Sequence, residues 1–187
     1  MDTIVQEALQ ELFIAITTRW RNEQGILCIG VSRKKLLQAG NISSAILDEL
    51  LKQIKEQIEP LGLELVEYIY DGEVWYTIHS IYVAPSELNS KEEAMLATII
   101  SFIESKHTIN ITELKKKLIA GEYFTVYQFE QTIKNLEQLG YIQRKKQKIQ
   151  YAPRTLVEFS EDARKHIGKE AERLIFSLIT TNNSDDE

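Results

Sequence analysis

Two β-favouring runs, Leu63–Tyr70 and Glu73–Ser80, are separated by Asp71-Gly72 alone. Asp-Gly readily adopts the two positive φ angles of a two-residue turn, so the pair predicts an antiparallel hairpin and sets its register. Just before it, Ser43 opens a segment with Ile46, Leu47, Leu50, Leu51, Ile54 and Ile58 on one stripe, ended by Pro60 and Gly62. That spacing predicts a long amphipathic helix running directly into the hairpin.

Three further signals precede this pair. Thr3-Ile4-Val5-Gln6 has the form of a capping box, and Ile4, Val5, Ala8, Leu9, Leu12, Phe13 and Ile16 follow at helical spacing. Gly25 ends that region, and Ile26–Val31 reads as a short strand. Ser32 then caps a short helix through Lys35, Leu36 and Leu37 that stops at Gly40. The order is helix, strand, short helix, long helix, hairpin. It is the order of a winged helix, in which the second and third helices form a helix-turn-helix and the hairpin closes one side of the core.

The order then repeats. Ser90-Lys91-Glu92-Glu93 reads as a capping box opening a helix with Met95, Leu96, Ile99, Ile100 and Ile103. Thr108–Ile111 is the expected short strand, and Thr112–Ile119 the short helix before Gly121. Thr125-Val126-Tyr127-Gln128 is a third capping box, and Val126, Phe129, Ile133, Leu136 and Leu139 follow at the helical spacing of a core face, with Gly140 at the helix end. Tyr141–Lys146 and Lys148–Ala152 form a short basic hairpin with Gln147 at its tip. A last helix is expected after Pro153, through Leu156, Val157, Phe159, Ile167, Ala171, Leu174 and Ile175, with a kink at Gly168. The predicted class is α+β, mostly helical: two tandem winged-helix domains, 1–81 and 90–176, the second carrying the C-terminal helix. Residues 180–187 are acidic and polar and are expected to be a disordered tail.

Charge and composition narrow the function. The 187 residues carry 22 Lys and Arg against 28 Asp and Glu, a net charge of −6. A blanket nucleic-acid binder would be basic, so any DNA contact must be a local patch. There is no run of 18 apolar residues, and Met1-Asp2-Thr3 lacks the positive start of a signal peptide, so no membrane association and an intracellular location are expected. Cys28 is the single cysteine, which excludes an internal disulfide and a Cys-rich zinc site. It sits in the apolar run Ile26-Leu27-Cys28-Ile29 and reads as a buried, inert thiol. No glycine pattern makes a phosphate loop, and His79, His107 and His166 lie in three different elements. Glutamates fall beside lysines as in Glu49-Lys52 and Glu130-Lys134, which are solvated helix pairs. A non-enzyme with no metal and no cofactor is expected.

The binding signals are of two kinds. The third helices suit duplex DNA poorly: Lys52 and Lys55 face Asp48, Glu49, Glu56 and Glu59 in the first, and Lys134 faces Glu130 and Glu137 in the second. Arg144, Lys145, Lys146 and Lys148, on the second hairpin, form the dense basic cluster and the candidate contact to duplex phosphates without sequence readout. Lysines also suit exposed edge strands, which they protect from aggregation. Arg33-Lys34-Lys35 and Lys115-Lys116-Lys117 are weaker groups of the same kind. Trp75, Tyr76, Tyr123, Phe124 and Tyr127 exceed what small cores require and are the candidate partner anchors, with core packing as the competing reading.

Two segments carry a family resemblance. The run Ile46-Leu47-Asp48-Glu49-Leu50-Leu51-Lys52-Gln53-Ile54, through Leu63-Glu64-Leu65 to Trp75-Tyr76-Thr77-Ile78, resembles non-SMC element one of the Smc-five-six type. Tyr151-Ala152-Pro153-Arg154-Thr155-Leu156-Val157-Glu158 is similar to the Gly-Pro-Arg-Ala-x-x-Glu segment of element three, the MAGE family, with Pro153, Arg154 and Glu158 matching and Ala152 replacing the glycine. Both are kite proteins, tandem winged-helix subunits of SMC (structural maintenance of chromosomes) complexes, an architecture that bacterial ScpB-type kites share. The resemblance implies a non-catalytic, chromosome-associated subunit. Such a subunit dimerises with itself or a sister kite, grips the kleisin that closes the SMC ATPase ring, and in some cases touches DNA. Element one carries a cysteine-rich RING, and one cysteine cannot build it, so ubiquitin-ligase activity is not implied. The alternative is a tandem winged-helix transcription factor or a basal transcription subunit. A regulator of that kind needs a basic recognition helix, which is lacking here.

Overall fold

The computed structural model describes residues 3–23, 25–81, 86–106 and 109–170. The chain divides into two compact units, Met1–Pro85 and Ser86–Glu187. The side chains of Thr3, Ile4 and Val5, and with them the expected Thr3 capping bond, the residues His107 and Thr108, and everything beyond residue 170, including Ala171, Leu174, Ile175 and the acidic tail, lie outside the described set.

The first unit runs α1 (Thr3–Thr17), β1 (Arg19–Arg21), β2 (Leu27–Ile29), β3 (Val31–Ser32), α2 (Arg33–Gly40), α3 (Ser44–Ile58), a 3₁₀ turn (Glu59–Leu61), β4 (Leu63–Tyr70) and β5 (Glu73–Ser80). Ser32 and Ser43 cap α2 and α3 by accepting the backbone N–H of Lys35 and Ile46. α2 ends on Asn41 in the left-handed region, one residue past the expected Gly40. Asp71 and Gly72 have φ of 52° and 77°, as a turn with two left-handed residues requires. The sheet order is β3-β5-β4, with Tyr68 opposite Trp75 and Ile69 opposite Val74.

Alternation on this hairpin gives it two covered faces. Leu63, Leu65, Val74, Tyr76 and Ile78 join the helical core of Leu12, Ile16, Leu36, Leu47, Leu50, Leu51, Ile54 and Ile58. Each fully buried side chain of this kind contributes about 1.5–3 kcal/mol. The opposite face carries Tyr68, Tyr70 and Trp75 and is covered by a small sheet the sequence reading did not foresee. The run expected as one strand, Ile26–Val31, breaks at Gly30: its first half pairs with β1 and its second half with β5. Gly30 has φ of 81°, and a Cβ there would lie 2.2 Å from the Tyr76 carbonyl oxygen, so only glycine permits the crossing.

The second unit repeats the order with α4 (Ser90–Lys106), β6 (Ile109–Asn110), α5 (Ile111–Ala120), α6 (Val126–Gln138), β7 (Ile142–Lys145) and β8 (Lys148–Tyr151). Its sheet order is β6-β8-β7, the counterpart of the first. Both units are therefore winged helices. The Thr125–Gln128 capping box forms as expected. The first one shifts by a residue: Asn89, not Ser90, accepts the N–H groups of Lys91 and Glu92, and its own N–H donates to the Glu92 carboxylate at 2.9 Å. Asn gives a cap at least as good as Ser, and Glu92 gains a second donor in Asn135 Nδ2 at 2.9 Å.

The C-terminal helix also differs from expectation. α7 (Pro153–Glu158) is a short helix, Phe159 is extended, and Ser160 caps a new helix, α8 (residues 161–170), by accepting the Ala163 N–H at 3.2 Å. Gly168 lies inside α8, which runs unbroken through it to residue 170. Ser101 Oγ donates to its carbonyl at 3.4 Å, and a Cβ there would meet Glu104 Cβ at 3.2 Å, so this glycine serves close approach to α4.

Candidate partner and DNA surfaces

Ile142–Tyr151, the second wing, holds four cations and no acid, and Arg144, Lys145, Lys146 and Lys148 are all exposed. They are not equivalent. Arg144 donates from Nε and an Nη to both carboxylate oxygens of Glu137, at 2.6 and 2.7 Å. This fork bond holds the guanidinium pKa above its usual value. The three lysines surround the hairpin tip, where Lys146 has φ of 59°. The tip is tied back at Gln147, whose Oε1 accepts the Thr112 hydroxyl and whose carbonyl accepts the Ile111 N–H.

In the other basic groups Arg33 and Lys115 are half-buried and paired, whereas Lys34, Lys35, Lys116 and Lys117 stay exposed. Arg33 donates to Tyr76 Oη (2.9 Å), Ser44 Oγ (2.8 Å) and Asp48 Oδ1 (2.7 Å), linking α2, α3 and β5. The Lys35 ammonium lies 4.9 Å from the Trp20 ring centre. Lys115 pairs with Glu130 at 2.6 Å, so Glu130 turns to α5 instead of forming the expected pair with Lys134, and Lys117 pairs with Glu113 at 3.1 Å.

The aromatic candidates separate into two groups. Trp75, Tyr76 and Phe124, expected as anchors, are 8%, 4% and 8% exposed and belong to the cores. Trp75 and Tyr76 are neighbours on a strand, so they point to opposite faces, and both faces are covered. Trp75 stacks on Trp20 at 6.5 Å and meets Tyr70 edge-on at 5.5 Å. The Tyr68 hydroxyl donates to the Ile29 carbonyl, fastening β2 over this cluster. Burial raises the Tyr68 pKa above that of an ordinary phenol, with the Cys28 thiol adding to the effect. Cys28 is itself buried, and desolvation raises its pKa against the lowering influence of the Asn22 backbone and Lys35, the reverse of what a thiolate nucleophile requires.

Tyr123 and Tyr127, by contrast, are 65% and 73% exposed, and Val126 between them is 53% exposed. Val126 is the first residue of α6 after the Thr125 cap, beyond the end of the core it was expected to join. Glu122 at φ 59° turns the chain so that the Tyr123 ring lies over Gly121, where a Cβ would sit 2.4 Å from it. The result is an exposed, hydroxyl-bearing apolar ridge made of Tyr123 in the α5–α6 turn and Val126 and Tyr127 at the start of α6.

Arg154 is half-buried, and with Glu158 it is engaged within the second unit. Arg154 binds Glu87, donates from Nε to Glu158 Oε1 at 2.5 Å, and lies 4.4 Å from the Tyr141 ring centre. The Tyr141 hydroxyl donates to Glu158 Oε2 at 2.9 Å. Burial first, and the Glu158 carboxylate second, push that phenol upward. The Arg154 N–H bonds the Gly140 carbonyl, and Thr155 Oγ1 bonds that of Tyr141 at 2.6 Å. These residues clamp α7 onto the start of the second wing. A parallel cluster joins Tyr151 Oη to Glu104 at 2.8 Å with Arg164 against both, holding α8 to α4.

Among the described residues no group of His, Cys, Asp and Glu is placed to hold a metal ion, and no helix is long and apolar enough to cross a membrane. The fold is similar to that of a chain in the solved Nse1-Nse3-Nse4 complex, with a TM-score of 0.54 and 12% identity, over 84% of this chain and 71% of that one. No family model matches the sequence, and no curated protein is similar to it. At 12% identity the likeness is one of fold, and it spans both winged helices.

Proposed function

We propose that this chain is a non-catalytic kite-type subunit of an SMC complex that holds an extended segment of the kleisin. Three things support the reading: the two winged helices in sequence, the fold shared with a chain of the Nse1-Nse3-Nse4 complex, and the short segments that resemble elements one and three. The observation that carries it is the ridge of Tyr123, Val126 and Tyr127 on the turn into α6. In a DNA-reading winged helix the start of the third helix faces base edges and phosphates. Here that position bears two tyrosines and a valine, with Lys115 already paired to Glu130, which favours a polypeptide over a duplex and the kite reading over the transcription reading. The second wing supplies a separate, weak, non-specific contact to duplex phosphates through Lys145, Lys146 and Lys148.

The test is co-expression with the kleisin encoded in the same genome, followed by size-exclusion chromatography. A stable complex is expected. Changing Tyr123 and Tyr127 to Ala should weaken it at least about ten-fold while leaving the fold intact, because truncating an interface aromatic anchor costs upward of about 1–2 kcal/mol. A folded double variant that binds the kleisin as well as the wild type would remove the ridge from the interface. Absence of any complex would reject the reading.

A further inference from the structure

The two sheets treat their outer strands differently. β7, the outer strand of the second sheet, is four residues long and ends on Arg144 and Lys145, and short, cationic strands of this kind discourage further pairing. β4, the outer strand of the first sheet, is eight residues long and contains no proline or lysine. It pairs with β5 without a bulge, from Leu63 opposite Ser80 to Tyr70 opposite Glu73. We propose that β4 receives an extended, basic segment of a partner polypeptide as a fourth, antiparallel strand. The contact lies on the first unit and uses no residue of the tyrosine ridge, so it stands or falls independently of the kleisin reading.

The turn decides which backbone groups are open. A two-residue turn makes the flanking Tyr70 and Glu73 a hydrogen-bonded pair, so the even-numbered residues of β4 bond to β5. The N–H and C=O groups of Leu63, Leu65, Glu67 and Ile69 point the other way, to an edge with no sheet partner among the described residues. Ile69 on that strand is 69% exposed. Native sheets blunt such an edge with lysine, proline or a bulge, and β4 has none of the three. A regular row of unpaired donors and acceptors is a template for one more strand, and the affinity of such a contact comes from the main chain.

Charge selects the occupant. Leu63–Ser80 holds Glu64, Glu67, Asp71 and Glu73 and no Lys or Arg. Lys34 lies beside Glu73, and the Tyr76 hydroxyl, which Arg33 also binds, hydrogen-bonds Glu67, so part of this charge is engaged within the unit. Glu64 is exposed and has no partner among the described residues, and the Glu67 side chain is exposed as well. These two acids lie on the open strand itself. They repel β4 of a second copy and favour a cationic strand. Antiparallel pairing sets the order of side chains in that strand. Its residues opposite Ile69, Leu65 and Leu63 lie beside apolar side chains, and those opposite Glu67 and Glu64 lie beside carboxylates.

The probe is the blocked peptide acetyl-Val-Thr-Lys-Thr-Val-Lys-Val-amide, which meets that order, and the readout is amide hydrogen exchange and chemical shift in the labelled full chain. In the free chain the amides of Leu65, Glu67 and Ile69 should exchange faster than those of Val66, Tyr68 and Tyr70. Peptide at ten times its dissociation constant should slow the first three about ten-fold, as mass action requires. Replacing both lysines of the peptide with glutamate should weaken binding at least about ten-fold, because the acids then face acids. Methylating the third and fifth backbone nitrogens, which face β4, should weaken it at least about ten-fold by removing two donors, whereas methylating the second and fourth, which face away, should not. Glu64→Lys, checked as folded by circular dichroism, should weaken the parent peptide about three-fold. Slow exchange of Leu65, Glu67 and Ile69 in the chain alone would mean that a second copy or the chain itself already covers the edge, and would overturn the proposal. So would a parent peptide that leaves these amides fast, equal binding of the basic and acidic peptides, or binding indifferent to methylation at the third and fifth positions.

Discussion

Duplex binding by the second wing yields a count that can be measured. A wing that neutralises Z phosphates has a log–log salt slope of about −0.9Z. Four cations would give about −3.6, and four is the number the sequence offers. The Arg144–Glu137 fork, at 2.6 and 2.7 Å, changes the number. Glu137 is 13% exposed, so releasing Arg144 would leave a largely buried carboxylate without its partner. With the three lysines alone in contact, the slope becomes about −2.7. Between about 50 and 200 mM salt, a four-fold change, affinity should then fall about 40-fold, against about 150-fold for four contacts.

Single substitutions sharpen the test. Lys146→Gln should reduce the slope to about −1.8, whereas Arg144→Gln should weaken binding modestly through the bared Glu137 and leave the slope near −2.7. Fluorescence anisotropy with two unrelated labelled duplexes, across a salt series, measures all three proteins. The reasoning is refuted if Arg144→Gln lowers the slope by a full contact while the lysine variant does not, or if the two duplexes bind with clearly different affinities.

Three further outcomes follow from the cores. Arg154→Ala should destabilise the second unit by about 2 kcal/mol, between the value of an exposed pair and that of a buried one, because Arg154 is 18% exposed and also covers the Tyr141 ring; chemical denaturation followed by tyrosine signals checks it. Gly30→Ala should cost the first unit about 3 kcal/mol, combining left-handed strain with a backbone clash at Tyr76, and a tryptophan-fluorescence melt would report it through Trp20 and Trp75. Stability should fall as pH rises above about 10: Tyr68, Tyr141 and Tyr151 have phenols raised in the folded state, so the unfolded chain loses its protons first and is favoured there. Each tyrosine adds at most about 1.4 kcal/mol per pH unit, and urea midpoints at neutral pH and near pH 11 measure the total.

The architecture was legible because local rules and tertiary packing agree over most of the chain. Ser32, Ser43 and Thr125 cap the helices their spacing marks, and Asp71-Gly72 turns as that dipeptide must. The β1–β2 hairpin was hidden because Arg19-Trp20-Arg21 is three residues long, flanks its one apolar side chain with charges, and pairs across a turn lacking an Asp-Gly signal. Once that hairpin is in place, Trp75 needs no partner protein, since Trp20 and Tyr70 occupy its ring faces and edge. The break at Phe159–Ser160 was missed for a related reason: Gly168 looks like the weak point locally, but contact with Ser101 and Glu104 assigns it to packing.

Charge was the least legible property, and the reason lies in the chemistry of the cations. A composition count treats Arg144, Arg154 and Arg164 as equal to the lysines beside them. In the fold each of these arginines is held by a carboxylate of its own unit, at Glu137, Glu158 and Glu104. The guanidinium fork fits a carboxylate in two places at once and is weakly hydrated, so it moves inward where an ammonium stays in water. The Arg144 partner lies seven residues upstream on α6 and the Glu104 partner of Arg164 lies sixty upstream on α4, distances at which no helical spacing rule operates. Arg144 stays 41% exposed but is held by Glu137, so the surface charge the second wing offers a duplex rests chiefly on its lysines. Replacing Lys145, Lys146 and Lys148 with arginine, which leaves net charge unchanged, should consequently alter partner affinity more than stability, because a fork that finds a nearby glutamate is withdrawn from the surface on which the lysines act.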